Sequence, residues 1–173
     1  MAQTLYKWLD EGRITPYQKR SWPVRKGAWT PVVADPVLCE RGWHGIELGN
    51  IIVHLQNDTQ TLWIVETRGK VIGLGGEKFA AEQMRLVDKV GTCTPELLRL
   101  TACDIAESCL AAFESFVPGD DRPRKAIEVA RRFGAGMATD EERSAAESAA
   151  RSAAWSAADQ MLLARLESSG GAK

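Results

Sequence analysis

The chain has 173 residues, 45% hydrophobic and 26% charged, with a formal net charge of -1; this suits a globular protein with one core or two small subdomains sharing one. The near-neutral balance argues against non-specific nucleic-acid binding as its main task. No run of about 18 apolar residues is present to span a membrane, and the N-terminus lacks the apolar stretch of a signal peptide, so a cytoplasmic protein with no membrane partner is expected.

In chain order, a short helix is expected near Leu5–Gly12. Residues 12–30 then carry Arg13, Lys19, Arg20, Arg25 and Lys26 with no acidic residue, the pattern of a solvated basic loop. The prolines at Pro23 and Pro31 exclude a long helix across Trp22–Pro31, and Trp29–Val33 reads as an extended edge strand. Val37–Glu40 is short and extended. Arg41-Gly42-Trp43-His44-Gly45 is a tight turn bracketed by glycines. Ile46, Leu48, Ile51, Ile52 and Leu55 fit one helical face, ended by Asn57-Asp58.

Thr61–Thr67 is the clearest strand. Arg68-Gly69 is expected to turn the chain, with Lys70–Ile72 as a partner strand. Gly73-Leu74-Gly75-Gly76-Glu77-Lys78 lacks the spacing and the final Lys-Ser/Thr pair of a phosphate loop, so a turn is expected. Glu77–Gln83 is expected to be helical and Met84–Val90 the last strand. Five of the six tryptophans and both histidines fall before residue 70, which defines a Trp-rich α+β unit over residues 1–92.

The second part is helical, over residues 93–167. Thr94 and Pro95 open the first helix, with Leu97, Leu98, Thr101, Ile105, Cys109 and Phe113 on one face. Pro118-Gly119 ends it. Asp120 or Asp121 caps a second helix with Ala126, Ile127, Ala130 and Phe133 inward, stopped by Gly134. Thr139 and Glu142 form a capping box for a third helix from about Asp140 to Leu166, and residues 168–173 are expected to be a disordered tail. Residues 91–173 hold 10 basic and 13 acidic side chains.

The third helix carries Ser-Ala-Ala-x four times from Ser144 to Asp159. Alanine is the best helix former, and small side chains let helix axes approach. A period of four overshoots the helical 3.6, so the stripe drifts by about 40° per repeat. Serine in each first position is expected to sit at the close contact. Close packing within the unit is the plain reading, and self-association the sharper one.

The four cysteines, Cys39, Cys93, Cys103 and Cys109, form no C-x-x-C pair. That argues against zinc and thioredoxin-like chemistry, and reduced, mostly buried thiols are expected. Neither a metal nor a cofactor is expected, and no residue is assigned a catalytic role.

Two resemblances are carried by particular residues. Leu97–Leu100, Asp104–Glu107 and Asp120-Asp121-Arg122-Pro123-Arg124-Lys125-Ala126-Ile127-Glu128, followed by the alanine-rich repeat, resemble the alanine-rich immunity protein family of bacteria and their phages, over about residues 94–166. That resemblance implies a helical bundle that neutralises a partner protein by binding. Cys39 with Gly42-Trp43-His44, Val65-Glu66 with Gly69, and Arg85-Leu86-Val87 are similar to an uncharacterised domain of phage proteins. This implies a phage or mobile-element setting and no established chemistry.

Three constellations remain as candidate sites. His44 and Glu66 on a small sheet would suit an ADP-ribosyltransferase-like site in which the glutamate orients a ribose, though the middle motif of that class is not evident. The plainer reading has His44 bonding the turn backbone and Glu66 meeting a surface arginine. Trp22, Trp29, Trp43 and Trp63 offer faces for a base, and Arg20, Arg25, Arg41 and Arg68 offer bidentate bonds to phosphates, although Trp63 also reads as core. Asp121, Arg122 and Arg124 form a polar edge that would either bind a protein or simply cap and pair within the bundle.

The expected fold class is therefore α+β: a small mixed sheet followed by an alanine-rich three-helix bundle. The leading functional expectation is a non-catalytic, immunity-like or anti-defence protein that binds a partner. The alternative is a protein that sequesters or processes a nucleotide-type small molecule through Arg25, Trp29, Arg41, Trp43, His44, Glu66 and Arg68.

Overall fold

The computed structural model describes residues 4–23 and 25–170. The chain divides between Thr94 and Pro95 into a β unit and a helical unit, and the class is α+β.

The β unit is a closed four-stranded barrel built from β1 (Leu5–Leu9), β2 (Trp43–Glu47), β3 (Thr61–Ile72) and β4 (Phe79–Thr92), in the order β1-β2-β4-β3. Every pairing is antiparallel, so the sheet is not mixed. Among the described residues of this unit there is no α-helix. The expected helix at Leu5–Gly12 is β1 followed by a single 3₁₀ turn, Glu11–Arg13. The expected helix through Ile46–Leu55 is the end of β2 and a 3₁₀ turn, Leu48–Asn50. Its apolar stripe is not one buried face, because Ile46 is buried while Leu48 and Ile52 are exposed.

Strand β3 continues through the expected turn at Arg68-Gly69. The register slips between Arg68 and Val71 instead, and Gly69 takes a φ of 79° at that bulge. A Cβ there would displace the Glu82 carboxylate, but it is the left-handed φ that makes glycine the residue for this bulge. Lys70–Ile72 thus belongs to β3. The true turn is Gly73–Lys78, and β4 begins at Phe79, where a helix was expected. Glu47 and Asn50 pin this turn. The Gly75 N–H donates to Glu47 Oε1 at 2.8 Å, and Asn50 Nδ2 donates to the Gly76 carbonyl at 3.1 Å. A backbone donor of the glycine-rich loop is therefore spent on the protein's own carboxylate.

Residues 27–33 run beside β4 without forming a regular strand. Gly27, Thr30 and Val33 donate N–H bonds to the carbonyls of Leu86, Met84 and Glu82 at 2.9–3.1 Å. Pro31 removes a donor within this stretch, which suits an irregular edge. The buried Thr30 Oγ1 accepts the Met84 N–H at 2.9 Å. Inside lies a core of Leu9, Trp22, Trp43, Trp63, Val65, Phe79, Ala81, Met84 and Leu86, with Trp22 and Trp43 edge to face at 5.0 Å.

The helical unit comprises α1 (Pro95–Phe116), α2 (Arg122–Gly134) and α3 (Asp140–Gly170). α3 runs past Leu166, and residues 171–173 of the expected disordered tail lie outside the described residues. The capping box is present: Glu142 Oε2 accepts the Thr139 N–H at 2.8 Å and Thr139 Oγ1 accepts the Glu142 N–H at 3.2 Å. At the start of α2 it is Asp120, not Asp121, that accepts the Arg122 N–H. The left-handed residue after α2 is Gly136, with φ of 70°, not Gly134.

α2 packs against both α1 and α3, while α1 and α3 scarcely meet. Among the described residues of this unit only Cys103, Leu110, Ala153 and Ala157 are buried. On α3 the most covered line runs Ala146, Ala150, Ala153, Ala157, in steps of four, three and four. That stepping is how a helix of period 3.6 holds one side inward, so the contact moves from the second alanine of a repeat to the first. Ser144, Ser148, Ser152 and Ser156 are all exposed, so the serines do not occupy the helix contact. Of the cysteines, Cys93 and Cys103 are buried and Cys39 and Cys109 exposed. No helix among the described residues is long and apolar enough to cross a membrane.

Candidate functional site

A cavity of about 400 Å³ opens in the barrel unit. Its walls come from β1, β2, the basic loop around Pro16–Arg20, the Val37–Arg41 turn and the end of the β3–β4 turn. Three cationic side chains line it: Lys7, Arg20 and Lys78. Trp8, Tyr17, Trp43 and Ile46 supply its aromatic and apolar surface, and no carboxylate lines it.

Lys7 is the least expected member. In β1 it alternates with Leu5 and Leu9, of which Leu9 is fully buried and Leu5 packs against the core, so it occupies an inward position of the strand. It pairs in register with Trp63. Part of its side chain still meets solvent, while the surrounding wall desolvates the ammonium and pushes its pKa down to about 8, against a weak pull upward from Asp10. Among the described residues Lys7 makes no ion pair. Asp10 is held instead by Lys19 at 2.8 Å and by the buried Gln60, whose Nε2 donates to it at 2.7 Å.

His44 is held on both sides. Its Nε2 accepts the Cys39 N–H at 3.0 Å, and a second bond joins the ring to the Val37 backbone. Burial pushes the imidazole pKa down, and the charges of Lys7, Lys78 and Arg20 add to this. His44 is therefore biased toward the neutral ring, with Nε2 spent on fixing the turn. Cys39 sits in that turn with φ of 65°, a left-handed conformation for a residue with a side chain. Its side chain hydrogen-bonds Lys78, which raises the lysine pKa above the ordinary range. At the far wall the buried His54 Nε2 has no hydrogen-bond partner and lies 3.7 Å from Glu77 Oε1.

The residues singled out from sequence do not form one site. Trp43 and His44 line the cavity, as does Arg20. Glu66 does not. It pairs with Arg85, Nη2 to Oε2 at 2.5 Å, and the Arg85 and Arg68 guanidiniums lie over the Trp29 ring at 4.9 and 5.9 Å. Trp29, Glu66 and Arg68 thus make a separate cluster with Arg85 on β3 and β4, and His44 and Glu66 are not brought together. Arg41 bonds the Asp35 carbonyl at 2.9 Å. Arg25 is exposed and away from the cavity walls. Trp22 and Trp63 belong to the core, and Arg13 stacks on Trp63 at 5.1 Å.

In the helical unit the polar edge is committed internally. Arg124 reaches Glu114 on α1, Arg122 pairs with Asp120, and Asp121 pairs with Lys125 at 2.7 Å. No group of three or more His, Cys, Asp or Glu side chains that would hold a metal ion occurs among the described residues. No family model matches the chain, and no curated protein or solved structure matches it.

Proposed function

We propose that the barrel unit binds a small anion with a flat, largely apolar body, a nucleotide-type molecule being the class to try first. One observation carries this reading: three cations, Lys7, Arg20 and Lys78, converge on an aromatic cavity that has no carboxylate of its own. A desolvated ammonium with no ion pair among the described residues is costly, and an anionic ligand is the natural group to offset that cost. Trp8 and Tyr17 offer surfaces against which a ring can lie, and Arg20 can grip a phosphate in bidentate fashion.

Thermal melts with mono-, di- and cyclic nucleotides and dinucleotides test this. A ligand at about 100 times its Kd stabilises by roughly 2.7 kcal/mol, several degrees for a chain of this size. The shift should vanish in Arg20→Met and be absent with the uncharged nucleosides. Equal shifts with nucleosides and nucleotides would rule out the anion site.

The helical unit supports a second reading, an immunity-like docking face. Few of its side chains are buried, and Leu97, Ile105, Phe116, Trp155 and Leu162 are all exposed. An open apolar groove of about 560 Å³, walled by Phe113, Ile127 and Ala154 among others, runs along it. Exposed apolar surface of this kind marks an interaction site. We expect sedimentation to show self-association that grows with concentration and weakens in Trp155→Ala. A strict monomer would leave this face to a different protein.

A further inference from the structure

We propose that Lys7 is a nucleophilic amine that captures the carbonyl carbon of an anionic aldehyde or keto acid held in the barrel cavity, joining it as an imine. The inference rests on the anion-binding reading of the cavity and narrows the ligand to molecules that carry a carbonyl beside their negative charge.

The geometry singles out this lysine. Lys19, Lys26 and Lys70 are exposed and paired with Asp10, Asp88 and Asp35. Lys78 bonds Cys39. Lys7 alone stands on the inward side of a strand, lines the cavity, and has no ion pair among the described residues. Amines become nucleophiles when desolvation or neighbouring cations release the proton. Here burial pushes the pKa down to about 8, so a useful fraction of the amine is neutral near physiological pH. Lys78 and Arg20 line the same cavity and supply positive charge for the anionic end.

The step balances without an oxidant or reductant. The Lys7 Nζ lone pair adds to the carbonyl carbon, the C=O π bond opens, and the oxygen takes up the proton that the nitrogen gives up. The nitrogen lone pair then expels that hydroxyl, which takes up the nitrogen's second proton and leaves as water, and a C=N bond remains.

Pyridoxal 5′-phosphate is a suitable probe, because it joins a phosphate, a flat ring and an aldehyde. The full chain is incubated with it, reduced with borohydride to fix any imine as a secondary amine, and mapped by peptide mass. We expect the first equivalent of label on Lys7. Labelling there should fall about tenfold with pyridoxal, which lacks the phosphate, fall likewise in Lys78→Met, and disappear in Lys7→Arg. Label spread over the exposed lysines, with Lys7 no faster than Lys19 or Lys70, would overturn the inference. If nucleotides shift the melt yet Lys7 stays unlabelled, the covalent step fails and the anion site stands. If neither is seen, both fail.

Discussion

Lys7→Met should make the barrel more stable at pH 7 while abolishing ligand binding. The ammonium is desolvated in the fold, which lowers its pKa from 10.5 to about 8. A difference of that size corresponds to about 3 kcal/mol, and because the side chain still reaches solvent a gain of about 1–3 kcal/mol is the expected range. The sign follows from linkage. Below pH 8 the amine is protonated in both folded and unfolded chains, so the full cost of burying the charge is present. Between pH 8 and 10.5 the folded chain has released its proton and the unfolded chain has not, so the wild type gains stability as the pH rises. Urea melts at pH 7 and pH 10 should show the variant ahead at the lower pH and the gap narrowing at the higher. A variant less stable than wild type at pH 7 would mean that Lys7 is satisfied in the fold, and the case for an anion beside it would fall.

Phe79→Ala should cost about 4 kcal/mol, the loss expected from emptying a fully buried aromatic position. Phe79 opens β4 and pairs with Gly45 of β2. A Cβ on Gly45 would lie 2.5 Å from Phe79 Cζ and 2.9 Å from the Tyr6 carbonyl. Glycine at this place is therefore a matter of room at the β1–β2–β4 junction, where the barrel shuts. Gly45→Ala should destabilise by about 1–3 kcal/mol through overpacking. In a Phe79→Leu background the same change should cost less by about 1 kcal/mol, because the ring has gone while the carbonyl remains. Additive costs in chemical melts would show that the two residues do not share the space.

The sequence was most legible where one period dominated. The helices of residues 95–170 have clear caps, and the Thr139–Glu142 box formed as expected. The strands were harder because apolar residues at 46, 48, 51, 52 and 55 mimic a helical stripe, of which the fold buries Ile46 and exposes Leu48 and Ile52. The same ambiguity hid Lys7. Read as a helix, Leu5–Gly12 puts a lysine among mixed faces. Read as a strand, it sets Lys7 between two leucines that point inward. His44 was visible from its glycine-flanked setting, but it stands on β2 rather than in the expected turn at Arg41–Gly45, and its ring bonds the backbone of the preceding Val37–Arg41 turn. Glu66 was not separable from it, because residues 44 and 66 fall on different strands and only pairing shows that Glu66 meets Arg85.

The order of strands around the barrel carries a kinetic consequence. β3 and β4 form a hairpin from neighbouring sequence, whereas β1 must find β3 across most of the unit, matching Leu5 to Val65. Contacts between near residues form early, and closing a long loop comes late. During synthesis β1 emerges first, and although β2 can meet Leu5 and Tyr6, its other edge stays unpaired until β3 has been made. The pairing of β1 with β3 is the long-range contact that closes the barrel, so a barrel left open there has not yet fixed the strand that bears the cavity's Lys7.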